Sequence, residues 1–89
     1  MARRNVLIYN KKGLHARAAS RLVQVANDYS AEVRLLFGDK QADGKNIMSV
    51  MMLAASMGTS IELEAEGDDA EAAVEALAQL IEDCFDEGE

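Results

Sequence analysis

The chain has 89 residues, 49% of them hydrophobic and 28% charged, which is the composition of a small globular domain and excludes a disordered chain. Its one cysteine, Cys84, excludes an intramolecular disulfide and a Cys-rich zinc site, and no apolar run approaches the ~20 residues of a membrane-spanning helix. We therefore expect one domain over residues 1–89, located in the cytoplasm, with no cofactor, no metal and no membrane insertion.

The formal net charge is −7, but the two signs are divided along the chain. Residues 1–45 hold nine bases and four acids, a net +5, whereas residues 46–89 hold no base and twelve acids, a net −12. The acidic half disfavours nucleic acid as a partner, because it would repel a polyanion. The basic half indicates an anionic ligand or an acidic partner. The alternative is that the solvent-exposed faces of the domain differ in charge without any functional reason.

The first half of the chain predicts a strand, a helix and a hairpin. Alternating apolar residues predict a strand over residues 4–9, with Val6 and Ile8 on one side. Helical spacing predicts a helix over about residues 16–29, followed by strands over residues 32–37 and 40–43. The helix positions expected to face inward are Ala19, Leu22, Val23 and Ala26.

The second half predicts two more helices and a strand between them. A short helix is expected over about residues 46–54, and a turn at Met57-Gly58. Ile61, Leu63 and Ala65 then alternate with three glutamates that we expect to point to solvent: Glu62, Glu64 and Glu66. A capping box, Asp68-x-x-Glu71, predicts the start of a last helix that ends near Phe85. The inner face of this helix is predicted to carry Ala73, Val74, Leu77, Leu80, Ile81 and Cys84.

The element order is therefore β-α-β-β-α-β-α. Strands with one polar face need helices on the other face, which predicts an α+β fold with an antiparallel sheet covered on one side.

The chain has one histidine, His15, and it lies where a turn meets the first turn of a predicted helix. Helix starts expose backbone N–H groups and the positive end of the helix dipole, so they favour anions, and Arg17 adds a guanidinium suited to phosphate. A neutral imidazole nitrogen is also a competent nucleophile. The alternative is an ordinary helix cap; a metal site lacks a second histidine, and no nucleotide-binding or serine-hydrolase motif is present.

The second unusual segment is the methionine-rich run over residues 47–53. A nine-residue helix cannot bury Ile47, Met48, Val50, Met51, Met52 and Leu53 together. Exposed methionines are common on surfaces that bind several partners, although core filling is the alternative explanation.

Residues 13–19 (GLHARAA), preceded by NKK at 10–12, resemble the active-site signature of the histidine-containing phosphocarrier (HPr) family of the bacterial phosphoenolpyruvate-dependent phosphotransferase system. Residues 44–53 (GKNIMSVMML) resemble the second signature of that family. The resemblance covers essentially the whole chain. It implies an open-faced β-sandwich, in which a four-stranded antiparallel sheet is covered on one face by three helices.

The resemblance implies a stoichiometric carrier and not an enzyme. Enzyme I would pass a phosphoryl group to Nδ1 of His15, and the carrier would pass it to a IIA-type acceptor, in sugar transport or nitrogen-related regulation. Arg17 matches the arginine that supports the phosphoryl group, and Ala16 and Arg17 supply the helix-start N–H groups. A monomer is expected, with a docking surface made of Arg21, Gln24, Ile47, Met48 and Met51.

Two positions depart from the family pattern. Ala18 replaces a proline, with little expected effect because alanine is an excellent helix former. Asn46 occupies the position of the regulatory serine and has no hydroxyl, so we expect no efficient kinase control there; Ser49 carries the nearest hydroxyl. The methionine-rich run and the acidic tail resemble proteobacterial members, including the nitrogen-related branch (NPr).

Two other functions compete with the phosphocarrier. An RNA-recognition sheet has a similar element order but needs aromatic residues on its central strands, and this chain has four aromatic residues and no such cluster. A regulatory paralogue that binds partners without phosphoryl transfer is disfavoured because His15 and Arg17 are both present.

Overall fold

The computed structural model describes residues 1–9 and 11–83. The described elements, in chain order, are β1 (Ala2–Leu7), α1 (Ala16–Ala26), β2 (Glu32–Phe37), β3 (Lys40–Asp43), α2 (Ile47–Met52), β4 (Ser60–Glu66) and α3 (Ala70–Glu82). This confirms the predicted order, and β2 and β3 have the predicted bounds. The predictions for Cys84 and Phe85 lie outside the described residues.

The four strands form one antiparallel sheet in the order β1-β4-β2-β3. The helices pack on one face: α3 contacts β1, β4 and β2, whereas α1 contacts the other two helices and α2 contacts β3. The α+β fold and the open-faced sandwich are thus confirmed. Within the described part of the chain, no helix has the length and apolar content needed to cross a bilayer.

Alternate residues of the strands and one side of each helix build the hydrophobic core. The strand residues that face the helices include Val6, Val33, Leu35, Ile61 and Leu63, each almost fully buried. Full burial of such a side chain stabilises the fold by about 1.5–3 kcal/mol. The inward positions predicted for the helices are also buried, namely Ala19, Leu22, Val23, Ala26, Ala73, Val74, Leu77, Leu80 and Ile81.

Helix α1 ends at Ala26, three residues before the predicted end. The amide of Asn27 still donates to the Val23 carbonyl at 2.9 Å, but the amide of Tyr29 donates three residues back, to Ala26. The Tyr29 carbonyl accepts from Lys45 Nζ at 2.7 Å. The hydrogen bonds of Asp28 and Tyr29 reach only three residues back, so the α-helical pattern stops there, and the Tyr29 carbonyl joins this end of α1 to Lys45.

The predicted capping box at the start of α3 is wrong. The N-cap is Asp69, and its side chain makes no cap hydrogen bond. Its carboxylate instead accepts from the amides of Ser30 and Ala31, both at 2.8 Å, and so ties the α1–β2 connection to the start of α3. The hydrogen bond from Ser30 is the main reason that the pKa of Asp69 lies below its ordinary value; partial burial opposes that shift, and the Ala31 amide adds to it.

The uncovered face of the sheet carries the three glutamates of β4, but Glu64 does not point into solvent as predicted. Its register places it opposite Arg3 on β1 and Arg34 on β2. Arg3 Nε lies 3.1 Å from one carboxylate oxygen, and Arg34 Nε donates to the other at 3.3 Å, so Glu64 is 9% exposed. Hydrogen bonds that Arg34 donates to Glu66 and Glu64 also raise the pKa of its guanidinium.

Candidate functional site

His15 is the N-cap residue of α1, which confirms its predicted place at a helix start. Its backbone is extended (φ −75°, ψ 178°), and its carbonyl accepts from the Ala19 amide at 2.8 Å. The half-buried ring turns Nδ1 toward the helix, where it accepts from the Arg17 amide at 3.3 Å. The ring therefore performs the capping role that serine or asparagine usually has.

The cap fixes which ring nitrogen is available for chemistry. A nitrogen that accepts a hydrogen bond carries a lone pair, so in the neutral ring the hydrogen lies on Nε2. The lone pair of Nδ1 thus faces the first turn of α1, which contains exposed Ala16 and Arg17 and no acidic residue. An anionic group attached to Nδ1 would meet main-chain N–H groups and the positive end of the helix dipole.

The loop before His15 rests on the connection between α2 and β4. The amide of buried Leu14 donates to the Ala55 carbonyl at 3.0 Å. Gly13 has φ +63°, and a Cβ added there would lie 2.4 Å from the Ala55 oxygen and 2.8 Å from the Ser56 Cα. Glycine is needed at this position both for its backbone conformation and for the close approach. Sequence reasoning missed the partner segment, since Ala54-Ala55-Ser56 carries no turn signature.

Helix α2 lies within the predicted range of about residues 46–54 but covers only Ile47–Met52, with Asn46 as its N-cap. The Asn46 side chain accepts from the Ser49 amide at 3.0 Å. The Ser49 hydroxyl in turn accepts from the Asp43 amide at 3.0 Å, which joins α2 to the end of β3. Ser49 therefore has a structural contact within the fold.

The residues predicted for docking divide between exposed and half-buried positions. Met48 is 65% exposed and Ile47 40% exposed, whereas Met51 packs partly against the core. Met52, which the sequence analysis did not assign to docking, is 74% exposed. On α1, which contacts α2, Arg21 Nη1 donates to Gln24 Oε1 at 3.2 Å. The two neighbouring helices thus present an apolar strip on α2 and a polar pair on α1.

The described surface depressions lie away from His15. Their volumes are about 540, 350 and 280 Å³, and their walls come from β2 and β3, from β3 and α2, and from β1 and α3. No group of three or more metal-ligating side chains occurs in residues 1–9 and 11–83.

Comparison with known proteins gives the family directly. Residues 2–83 match the family model described as the PTS HPr component phosphorylation site. The chain is 45% identical to phosphocarrier protein HPr of Cupriavidus necator over the full length of both chains. It is 42% identical to phosphocarrier protein NPr of Shewanella violacea, covering 94% of this chain and 92% of that one.

A solved structure gives the same result. The crystal structure of HPr from Thermoanaerobacter tengcongensis superposes with a TM-score of 0.94 at 42% identity, covering 98% of each chain. The match to the family model, the curated relatives and the shared fold agree with the geometry at His15. The chain belongs to the HPr family of the phosphotransferase system.

Proposed function

We propose that this protein is a phosphocarrier that accepts a phosphoryl group from enzyme I on Nδ1 of His15 and delivers it to a IIA-type acceptor. The observation that carries the proposal is the hydrogen bond from the Arg17 amide to Nδ1, which places the lone pair at the start of α1. The HPr and NPr relatives support the same role. The protein acts stoichiometrically in the cytoplasm, as a monomer and without a cofactor.

Transfer to the carrier exchanges one bond to phosphorus for another. The Nδ1 lone pair attacks phosphorus in line with the bond to the donor; the N–P bond forms while that bond breaks, and the donor keeps its electron pair. Nδ1 loses no proton, because the ring hydrogen is on Nε2. The phosphorylated ring is therefore an imidazolium, and delivery to the acceptor reverses these steps.

The first turn of α1 supplies the stabilisation of the phosphoryl group. The group carries a charge near −2, and its oxygens would take the hydrogen bond that the Arg17 amide now gives to Nδ1. The Ala16 amide and the Arg17 guanidinium lie in the same turn. Donors that are already in place stabilise transferring charge without reorganisation.

Donor and acceptor must both reach the same histidine, so one docking surface would serve both. We assign it to Arg21, Gln24, Ile47, Met48 and Met51, and extend it to Met52 because of its exposure. Acidic residues on the partners would face the α1 side and apolar residues the α2 side.

Serine phosphorylation is not part of the proposed regulation. Asn46 has no hydroxyl, and its side chain already caps α2. The half-buried Ser49 hydroxyl accepts from the Asp43 amide and lies three residues beyond the N-cap of α2, not at the helix start. We expect no phosphoserine at Ser49 after incubation with ATP and a serine kinase of the HPr system.

Incubation with phosphoenolpyruvate and enzyme I, followed by intact mass, tests the proposal. The wild type should gain about 80 Da, the mass of one phosphoryl group, in an acid-labile form. His15→Ala should gain nothing while keeping its fold. Binding to enzyme I without any gain in mass would instead indicate a regulatory paralogue.

A further inference from the structure

The connection between α2 and β4 contains an unusual backbone conformation. Ala54 has φ 55°, and it is the one residue besides glycine with positive φ in the part of the chain that the structure describes. It directly follows the C-cap of α2, where helices that end in this conformation usually carry glycine. Alanine is strained there because its Cβ approaches the following carbonyl, and strain of this kind persists where the surroundings enforce it.

The surroundings of Ala54 are the loop that carries His15. The next residue, Ala55, presents its carbonyl to the Leu14 amide at 3.0 Å. Further along, the Ile8 amide donates to the Thr59 carbonyl at 2.9 Å, and the Gly58 amide donates to the Ile8 carbonyl at 2.8 Å. The loop between β1 and α1 is therefore hydrogen-bonded at both ends to the connection that begins at Ala54.

We propose that Ala54 and Ala55 form a backbone strap that positions His15 for phosphoryl transfer, and that the left-handed conformation of Ala54 holds the strap in place. Leu14 directly precedes His15, so a shift of the Ala55 carbonyl moves the cap residue and turns the Nδ1 lone pair. In-line transfer is sensitive to such shifts, since a displacement of about 1 Å can cost on the order of 100-fold in rate. This inference rests on the proposed function.

The strap also adjoins the docking surface. Helix α2 ends at Met52, and Leu53 is the last residue before Ala54. Two residues of chain thus separate exposed Met52 from the carbonyl that holds the His15 loop. A partner that docks on α2 therefore contacts a helix that leads directly into the Ala54–Ala55 strap, which positions His15.

Three substitutions at Ala54 separate backbone conformation from side-chain size. Ala54 is exposed, so larger side chains can extend into solvent. Glycine and asparagine accept the left-handed conformation, whereas β-branched valine strongly disfavours it. Asparagine and valine are close in size, so steric interference with a docking partner would affect both alike.

The readout is phosphoryl transfer from enzyme I, with kcat and KM for the carrier measured separately. We expect Ala54→Gly and Ala54→Asn to transfer within about twofold of wild type, and Ala54→Val to lose on the order of tenfold or more in kcat with little change in KM. A residue that mattered for folding alone would change the melting temperature and leave the kcat of the folded protein unaltered.

A matched pair of glycines provides a second, independent test of the strap in the same transfer assay. Gly13 and Gly38 both have φ +63°, so alanine brings the same backbone strain to each. At position 13 the new Cβ meets the strap, whereas at position 38 nothing lies within 4 Å. Gly13→Ala should therefore slow transfer strongly, and Gly38→Ala should transfer as the wild type does. Circular dichroism sets a temperature at which the compared variants are folded.

The outcomes are distinguishable. A wild type that takes no phosphoryl group overturns the proposed function itself. A wild type that is phosphorylated, with Ala54→Val and Gly13→Ala both transferring at its rate, overturns the strap alone. Equal losses in Ala54→Asn and Ala54→Val also overturn it, because they would indicate side-chain interference. If either Ala54→Val or Gly13→Ala fails to fold, the other decides.

Discussion

The uncovered sheet face and the His15 end of the molecule use charged residues in opposite ways. On the sheet face, arginines from the basic half of the chain meet glutamates from the acidic half, as Arg3 and Arg34 do around Glu64. At the start of α1, the interaction that defines the site is a main-chain amide pointing at a ring nitrogen. One face pairs charges within the fold, and under the proposed function the other directs donors to a phosphoryl group that arrives from outside.

The strand order explains how a chain with divided charge folds this way. Strand β4, with its three glutamates, lies between β1 and β2, which carry Arg3 and Arg34. At the edge of the sheet, Arg4 of β1 also lies 2.9 Å from Glu75 and 3.5 Å from Glu82 of α3. Part of the division of charge along the sequence is therefore neutralised within the fold, at Arg3, Arg4 and Arg34.

The first prediction concerns the His15 end and has the largest expected effect. Arg17→Ala should slow transfer on the order of 100-fold, because it removes a donor that stabilises the transferring phosphoryl charge. Its effect on the free energy of unfolding should stay within about 0.5 kcal/mol, because Arg17 is exposed. Rapid-quench transfer assays and urea titrations give the two numbers. Equal transfer by Arg17→Ala and wild type would contradict the assigned role.

The second prediction tests the apolar strip on α2. Met48→Asp should raise KM for both enzyme I and the acceptor by about tenfold or more, since it places a charge in the middle of the docking surface. Stability should change little, because Met48 is largely exposed. Glu32→Gln, an exposed substitution on the sheet face, is the control and should leave both KM values unchanged. Unaltered binding of both partners by Met48→Asp would remove Met48 from the docking surface.

The third prediction applies to the sheet face, where we expect stability to change and phosphoryl transfer to stay the same. Glu64→Gln removes the charge between Arg3 and Arg34, so it should lower the free energy of unfolding by about 1–2 kcal/mol. We expect a value at the lower end of this range, because Arg3 is well exposed and solvent screens its ion pair with Glu64. Phosphoryl transfer by the folded variant should match the wild type. Urea unfolding and the transfer assay check both parts. Slower transfer with unaltered stability would show that the two regions are not separate.

The fourth prediction concerns Asp69 and is the smallest at neutral pH. Because the pKa of Asp69 is lowered in the folded state, its ionised carboxylate stabilises the fold when the pH is above the ordinary pKa of 3.8. That stabilisation is lost as the pH falls below 3.8 and through the lower pKa of the folded state. Asp69→Asn should therefore melt earlier than wild type near neutral pH, and the difference should shrink at about pH 3. Thermal melts at both pH values test this, and a constant difference would argue against the carboxylate contacts.

The fold was largely predictable because apolar residues recur at regular spacing in each helix and strand. The alternation at Ile61, Leu63 and Ala65 and the helical spacing at Leu22 and Val23 reflect burial, which sequence patterns report well. The errors occur where contacts join distant parts of the chain. Asp69 caps the Ser30–Ala31 amides instead of its own helix, and Glu64 is covered by two arginines from other strands.

The candidate site was only partly predictable: the sequence reveals its helix starts but not its backbone contacts. His15 and Asn46 lie at helix starts that local sequence reveals, and both act as caps. The contact between Leu14 and Ala55 had no local signal, because its donor and acceptor are main-chain groups about 40 residues apart. Ala54 was equally hidden, since alanine gives no indication of a left-handed backbone.

Heteronuclear NMR of the phosphorylated protein, with ¹⁵N in the histidine ring and the backbone, tests the central claim most directly. We predict coupling between ³¹P and Nδ1 of His15, a hydrogen on Nε2, and a changed Arg17 amide resonance as that amide moves from Nδ1 to a phosphoryl oxygen. The amides that surround Glu64 on the sheet face should remain unchanged. Phosphorus coupled to Nε2, or a phosphoryl group on any other residue, would contradict it.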